Sequence, residues 1–256
     1  MAHARLWGAR ARDWAEFQEP QVRAMYETVL ARTGLKPGMA YLDAGCGSGL
    51  AAQIAAKQGA RVSGIDAAEA LLAIARERVP NGDFRAGDLE ELPYTDRSFD
   101  IVTGFNSFQF AGNPALALGE ARRVARPSGI VAIVTWGKPE GMEAASIVTS
   151  LRELMPPPPP GAPGPFALSD EAALRNFAVS GGLKPVEVFD IPCVLDYPEL
   201  ATALRGLNSS GVAARAMENS SEQAVSAAHE KALAPFRQKD GSYKAKAMFR
   251  CLLARP

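Results

Sequence analysis

The chain has 256 residues, 47% of them hydrophobic and 22% charged, a composition that supports an ordinary folded core. Lys plus Arg and Asp plus Glu number 28 each, so there is no basic surplus to grip a nucleic-acid backbone, and no nucleic-acid partner is expected. Three cysteines without metal-type spacing and only two histidines argue against a metal site and suit a reducing, cytoplasmic compartment; no run is apolar enough to span a membrane.

The N-terminal stretch M-A-H-A-R-L-W-G-A-R-A-R is basic and lacks the apolar centre of a secretion signal. Residues Arg10 to Arg32 read as helical, with Trp14, Phe17, Met25, Val29 and Leu30 as candidate buried positions and an interruption near Pro20. After a Gly- and Pro-containing connector, a regular alternation begins. Strands are predicted at Ala40–Asp43, Arg61–Asp66, Asp83–Ala86, Phe99–Gly104 and Gly129–Thr135, with helices at Leu50–Gln58, Glu69–Val79 and Pro114–Ala125. Such alternation predicts an α/β fold with a parallel sheet and right-handed crossovers.

Beyond Trp136 the pattern changes. Pro156–Pro160 is a five-proline run that no helix or central strand tolerates, so an extended loop is expected. Ser169 is a candidate N-cap for a helix that Gly181-Gly182 ends. Lys184–Leu195 reads as a long strand near an edge, Tyr197–Gln238 as helical, and Lys246–Ala254 as a final strand pairing antiparallel with its predecessor. The expected organisation is a single domain over 1–256. It has an N-terminal helical cap (1–36), a cofactor-binding core (37–136), a Pro-rich loop region (137–168) and a helical lid insertion (197–243).

The segment Y-L-D-A-G-C-G-S-G at Tyr41–Gly49 carries the chemistry. An apolar strand ends in an acid, Asp43; glycines follow at 45, 47 and 49; a helix-forming run comes next. A strand, a tight glycine loop and a helix start form the place where an α/β sheet binds a nucleoside-type ligand. The dinucleotide fingerprint needs a third glycine or small residue where this chain has Leu50, which disfavours an NAD enzyme. Asp66 ends the second strand, where a carboxylate accepts hydrogen bonds from ribose hydroxyls; capping the next helix is the alternative. Asp88 in A-G-D-L-E-E-L-P could accept from an adenine amino group or simply close a turn.

Taken in order, L-D-A-G-C-G-S-G, G-I-D, G-D-L-E-E-L-P-Y-T-D-R-S-F-D-I-V and E-A-R-R-V-A-R-P-S-G-I-V-A-I-V-T-W resemble the class I S-adenosylmethionine-dependent methyltransferases, in particular the ubiquinone/menaquinone-biosynthesis-like small-molecule branch. The resemblance runs from about Gly38 to Trp136. It implies a Rossmann-like, doubly wound seven-stranded sheet with the last strand antiparallel, and a lid built from N-terminal helices and a C-terminal helical insertion. It implies S-adenosyl-L-methionine as cofactor, with S-adenosyl-L-homocysteine as product. Asp43, Gly45 and Gly47 would surround the methionine part, Asp66 the ribose, Ala67 the adenine face, Asp88 and Leu89 the adenine edge, and Asn106 would contribute from the fourth strand. Trp14 would cover the cofactor from the N-terminal segment or belong to the core.

Relatives often carry a histidine after the fourth strand; this chain reads F-N-S-F-Q-F there. His229 in the insertion is the one weak candidate for a base. Phe105, Phe108, Phe110 and Trp136 are candidate pocket walls, which favours a small, partly hydrophobic acceptor as partner. The alternatives are a cofactor binder with non-methylating chemistry and an RNA or protein methyltransferase.

Overall fold

The computed structural model describes residues 2–157 and 164–256; Pro158–Pro160 of the proline run lie outside the described residues. β1 (Ala40–Ala44) is buried along its whole length, as a strand covered on both faces must be, and its only charged residue is Asp43. Successive side chains point to opposite faces: Tyr41 joins the core layer beneath one face of the sheet and Leu42 the layer beneath the other.

β2 (Arg61–Asp66), β3 (Asp83–Ala86), β4 (Phe99–Phe105), β5 (Ala125–Trp136), β6 (Lys184–Tyr197) and β7 (Tyr243–Arg255) complete the sheet. Among the described residues the seven strands run in the order β3-β2-β1-β4-β5-β7-β6. The first five are parallel; β7 is antiparallel to both β5 and β6. The chain winds outward from β1 to β3, then returns to place β4 on the other side of β1. That reversal opens a crevice beyond the carboxyl ends of β1 and β4. The predicted strands lie where expected, with β5 beginning earlier, at Ala125, across a register shift opposite Phe99 and Ile101.

The helices are α1 (Ala2–Gly8), α2 (Ala11–Asp13), α3 (Arg23–Arg32), α4 (Leu50–Lys57), α5 (Glu69–Arg78), α6 (Pro114–Val124), α7 (Ala145–Thr149), α8 (Glu171–Ser180), α9 (Leu200–Leu207), α10 (Gly211–Asn219) and α11 (Glu222–Leu233). Two details differ from the sequence expectation. The segment from Arg10 to Arg32 is not one interrupted helix: a π-helical turn at Trp14–Gln18 and a 3-10 turn at Glu19–Val22 precede α3. Pro20, which lacks an N–H, falls in the first turn of the 3-10 segment, where none is needed. The cap of α8 is Asp170 rather than Ser169; its carboxylate accepts from the Ala173 N–H at 3.0 Å.

The helices of the 197–243 segment pack on the N-terminal segment. Tyr197 Oη donates to Gln18 Oε1 at 2.8 Å, and the Asp196 N–H donates to Gln21 Oε1 at 2.7 Å. Arg205 pairs with Asp13 at 2.6 Å and lies 4.2 Å over the Phe17 ring. α10 begins at Gly211 because Trp7 lies against it: a β-carbon there would sit 2.6 Å from the Trp7 indole nitrogen.

Candidate active site

The glycine loop follows β1 directly into the crevice. Gly45 has φ +79°, and a β-carbon there would lie 2.4 Å from that of Ser107, so the loop touches the end of β4 with no room for a side chain. Ser107 Oγ fastens the same junction by donating to the Ala44 carbonyl at 2.6 Å. At the far end of the loop Gly49 (φ +81°) would drive a β-carbon to 2.7 Å from Ala75, so it permits α4 to enter alongside α5.

Three carboxylates come together around this loop. Asp43 is 2% exposed and accepts from Thr103 Oγ1 at 3.0 Å; Thr103 in turn pairs with the Tyr41 hydroxyl at 2.7 Å. Burial pushes the Asp43 carboxyl up to about 7 despite that hydrogen bond, and the charges of Glu19 and Asp66 add to the rise. Asp66 Oδ2 accepts from the Gly47 N–H at 2.9 Å and Oδ1 from the Ala68 N–H at 2.8 Å, so one carboxylate both braces the glycine loop and starts α5. Burial raises its pKa while the backbone donors oppose the rise.

Glu19 is the third, and no sequence motif marks it. It is 2% exposed, on the 3-10 turn of the N-terminal segment. Its Oε2 accepts from Ser48 Oγ at 2.6 Å and pairs with Arg78 from the end of α5; its Oε1 accepts only a long, 3.4 Å contact from the Leu50 N–H. Burial raises its pKa in spite of Arg78. The signal that would reveal it is Arg78, 59 residues further along the chain and visible only once α5 lies against the loop.

A cavity of about 260 Å³ fills the crevice. Asp43, Gly45, Gly47, Asp66, Ala67, Asp88, Leu89, Asn106 and Trp14, nine residues singled out in the sequence, all line it, together with Glu19, Tyr26, Phe105 and Phe110. Asp88 is exposed at the rim and also closes its own turn by accepting from the Glu90 N–H at 3.1 Å. Asn106 adopts φ +50°, a conformation asparagine tolerates, and its Oδ1 accepts from Gln109 Nε2 at 3.0 Å. Trp14 meets Trp7 edge to face at 5.0 Å, and Tyr26 meets Phe105 in the same manner at 4.7 Å.

Other candidates stand elsewhere. Phe108 is 1% exposed in the core, and Trp136 stacks on Phe249 at 4.5 Å; neither lines the cavity. His229 lies buried in α11, with Nδ1 2.7 Å from Asn208 Oδ1, and burial lowers its pKa to about 4. It does not line the cavity, and no described residue of 137–168 or 197–243 does. The insertion supports the N-terminal cap from behind, and the cap alone faces the cavity.

Residues 42–133 match the methyltransferase-domain family model. Over that stretch the chain resembles the S-adenosylmethionine-dependent methyltransferases. A malonyl-(acyl-carrier protein) O-methyltransferase of Pectobacterium atrosepticum is 34% identical over 52% of this chain and 53% of its own. A demethylmenaquinone methyltransferase of Renibacterium salmoninarum is 33% identical over 46% and 50%. The chain thus spans about half the length of these relatives. A Bacillus halodurans structure, provisionally described as a methyltransferase, superposes with a TM-score of 0.59 at 16% identity, covering 90% of this chain and 97% of its own. The (4+2)-cyclase SpnF superposes at 0.57 with 21% identity, covering 91% and 80%. These two likenesses concern the fold alone.

The family match and these relatives imply S-adenosylmethionine as the cofactor. The residues present suit a cation-bearing nucleoside of that kind. The glycine loop leaves backbone bare at the crevice, and Asp43 and Glu19, both buried, face the same cavity with only one arginine between them. Among the described residues no group of three or more His, Cys, Asp or Glu is placed to hold a metal ion, and no helix is long and apolar enough to cross a membrane.

Proposed function

We infer that this domain transfers the methyl group of S-adenosylmethionine to a small, partly apolar acceptor. The observation that carries the reading is one cavity whose lining joins carboxylates and bare glycine backbone to the aromatic rings of Trp14, Tyr26, Phe105 and Phe110.

Asp66 is assigned to the ribose hydroxyls, Asp88 and the Leu89 N–H to the adenine edge, Ala67 to its face, and Asn106 to the flank between them. Asp43, Gly45 and Gly47 are assigned to the methionine part. When bound, the sulfonium of the cofactor supplies an already activated methyl group. The protein's task is then alignment and exclusion of water, which Phe105, Tyr26 and the N-terminal cap perform by closing an apolar surface over the crevice. Asp43 and Glu19 offer anionic charge to a positively charged ligand in a site where water cannot screen it.

His229 is not assigned as a base, because it is buried against Asn208 and does not line the cavity. The acceptors that suit this lining best are nucleophilic without a protein base: carboxylates, phenolates, thiolates or stabilised carbanions.

The reading is tested by incubating the protein with S-adenosylmethionine and a panel of such acceptors, followed by mass spectrometry. Appearance of S-adenosylhomocysteine together with an acceptor heavier by one methylene supports it. Tight binding of S-adenosylhomocysteine with no methylated product across the panel would favour a non-methylating use of the same site.

A further inference from the structure

The cap brings two polar groups to the cavity, the Glu19 carboxylate and the Trp14 indole N–H. A β-carbon at Gly47 would point into the gap between loop and cap and lie 3.8 Å from both Glu19 Oε1 and Trp14 Nε1. Both groups therefore look across that gap onto the glycine loop. Trp14 Nε1 makes no hydrogen bond to a described residue. Glu19 spends Oε2 on Ser48 and Arg78 and keeps Oε1 for one long contact. Arg78 is satisfied beyond Glu19 as well: it donates to the Ser48 carbonyl at 2.9 Å and the Ala15 carbonyl at 2.8 Å.

One carboxylate oxygen and one N–H donor, both facing the glycine loop across the same gap, match a zwitterion. We propose that Glu19 Oε1 receives the α-ammonium group of the cofactor's amino-acid end while the Trp14 indole N–H donates to its carboxylate. The cap then takes part in recognising the cofactor, in addition to covering it. A ligand with the adenosine part but no amino-acid end gains nothing from these two residues.

The inference rests on the cofactor reading and can fail separately from it. Isothermal titration of the whole chain with S-adenosylhomocysteine and with 5′-methylthioadenosine, which lacks the amino-acid end, distinguishes the cases. Glu19→Gln keeps an acceptor for Ser48 and Arg78 but removes the charge. It is expected to weaken S-adenosylhomocysteine roughly tenfold or more, the loss of one charge-assisted hydrogen bond, and to change 5′-methylthioadenosine by less than about twofold. Trp14→Phe keeps the ring and removes the donor, and is expected to act in the same selective direction by about threefold. Equal weakening of both ligands would make Glu19 a structural ion-pair member and overturn the proposal, as would no change in either. If Glu19→Gln does not fold, Glu19→Gln with Arg78→Met removes the stranded guanidinium and carries the same comparison. A wild-type protein that binds neither ligand would overturn the cofactor reading itself.

Discussion

The sheet-edge wall of the cavity and the cap that faces it hold their polar groups by different means. On the sheet side, Asp43 and Asp66 end adjacent strands, and their oxygens are fixed by Thr103 and by backbone N–H groups within the same layer. On the cap side, Trp14 and Glu19 sit on π-helical and 3-10 turns, and what fixes them comes from distant segments: Arg78 and Ser48 from the core, and Tyr197 and Arg205 from the insertion. The first wall is rigid by construction. The second is only as firm as its long-range supports, which is the arrangement expected of a surface that must part to admit ligands.

The largest effect should come from the rigid wall. Asp66→Ala removes the brace of the glycine loop and the group assigned to the ribose at once, and should weaken S-adenosylhomocysteine about a hundredfold or more by calorimetry. Unchanged affinity would show that the sheet edge is not the wall that holds the cofactor. Gly45→Ala comes next, because it forces a side chain into left-handed backbone and against Ser107. Urea denaturation should show a loss of about 2–4 kcal/mol.

A smaller effect is expected from pH. Asp43 ionises near 7 in the free protein, and a cationic ligand favours its charged form. Binding below pH 7 must therefore expel a proton, so affinity for S-adenosylmethionine should fall by up to about tenfold per unit as pH drops below 7. Asp43→Asn should flatten that profile, whereas His229→Gln should leave its midpoint where it is. In the free protein the sign for stability is the reverse. The folded state holds the Asp43 proton more tightly than the unfolded chain, so this group favours folding fully below its ordinary 3.8, and the contribution is lost as pH rises through about 7. The smallest effect is reserved for the cap: Arg205→Ala breaks an exposed ion pair with Asp13, should cost less than about 1 kcal/mol overall, and should show mainly as faster proteolysis near residues 5–25.

The two walls also differ in how they could be read. Asp43, Gly45 and Asp66 are legible in the sequence because the strand-loop-helix unit places its parts within one stretch of chain, with the acid at the end of the second strand a fixed distance on. Glu19 is not: a glutamate before a proline carries no local mark, and its role is set by an arginine that only the folded chain brings near. Phe108 and Trp136 have the apolar character of pocket walls, but strand alternation and tertiary packing turn them into core. The insertion was recognisable as helical, while its place behind the cap depends on Gly211 admitting Trp7 and on Tyr197 reaching Gln18, contacts between segments far apart in the chain.

The position of β7 bears on how the molecule is made. β7 follows β6 in the chain but lies between β5 and β6 in the sheet. As the polypeptide emerges from the ribosome, β1 to β5 can assemble in turn, yet β6 has no neighbour to pair with until Tyr243–Arg255 has been synthesised. The insertion hangs between those two strands and props the cap, so the cap waits as well. The cap, translated ahead of the sheet, thus settles after it, and the glycine loop is formed before it is covered.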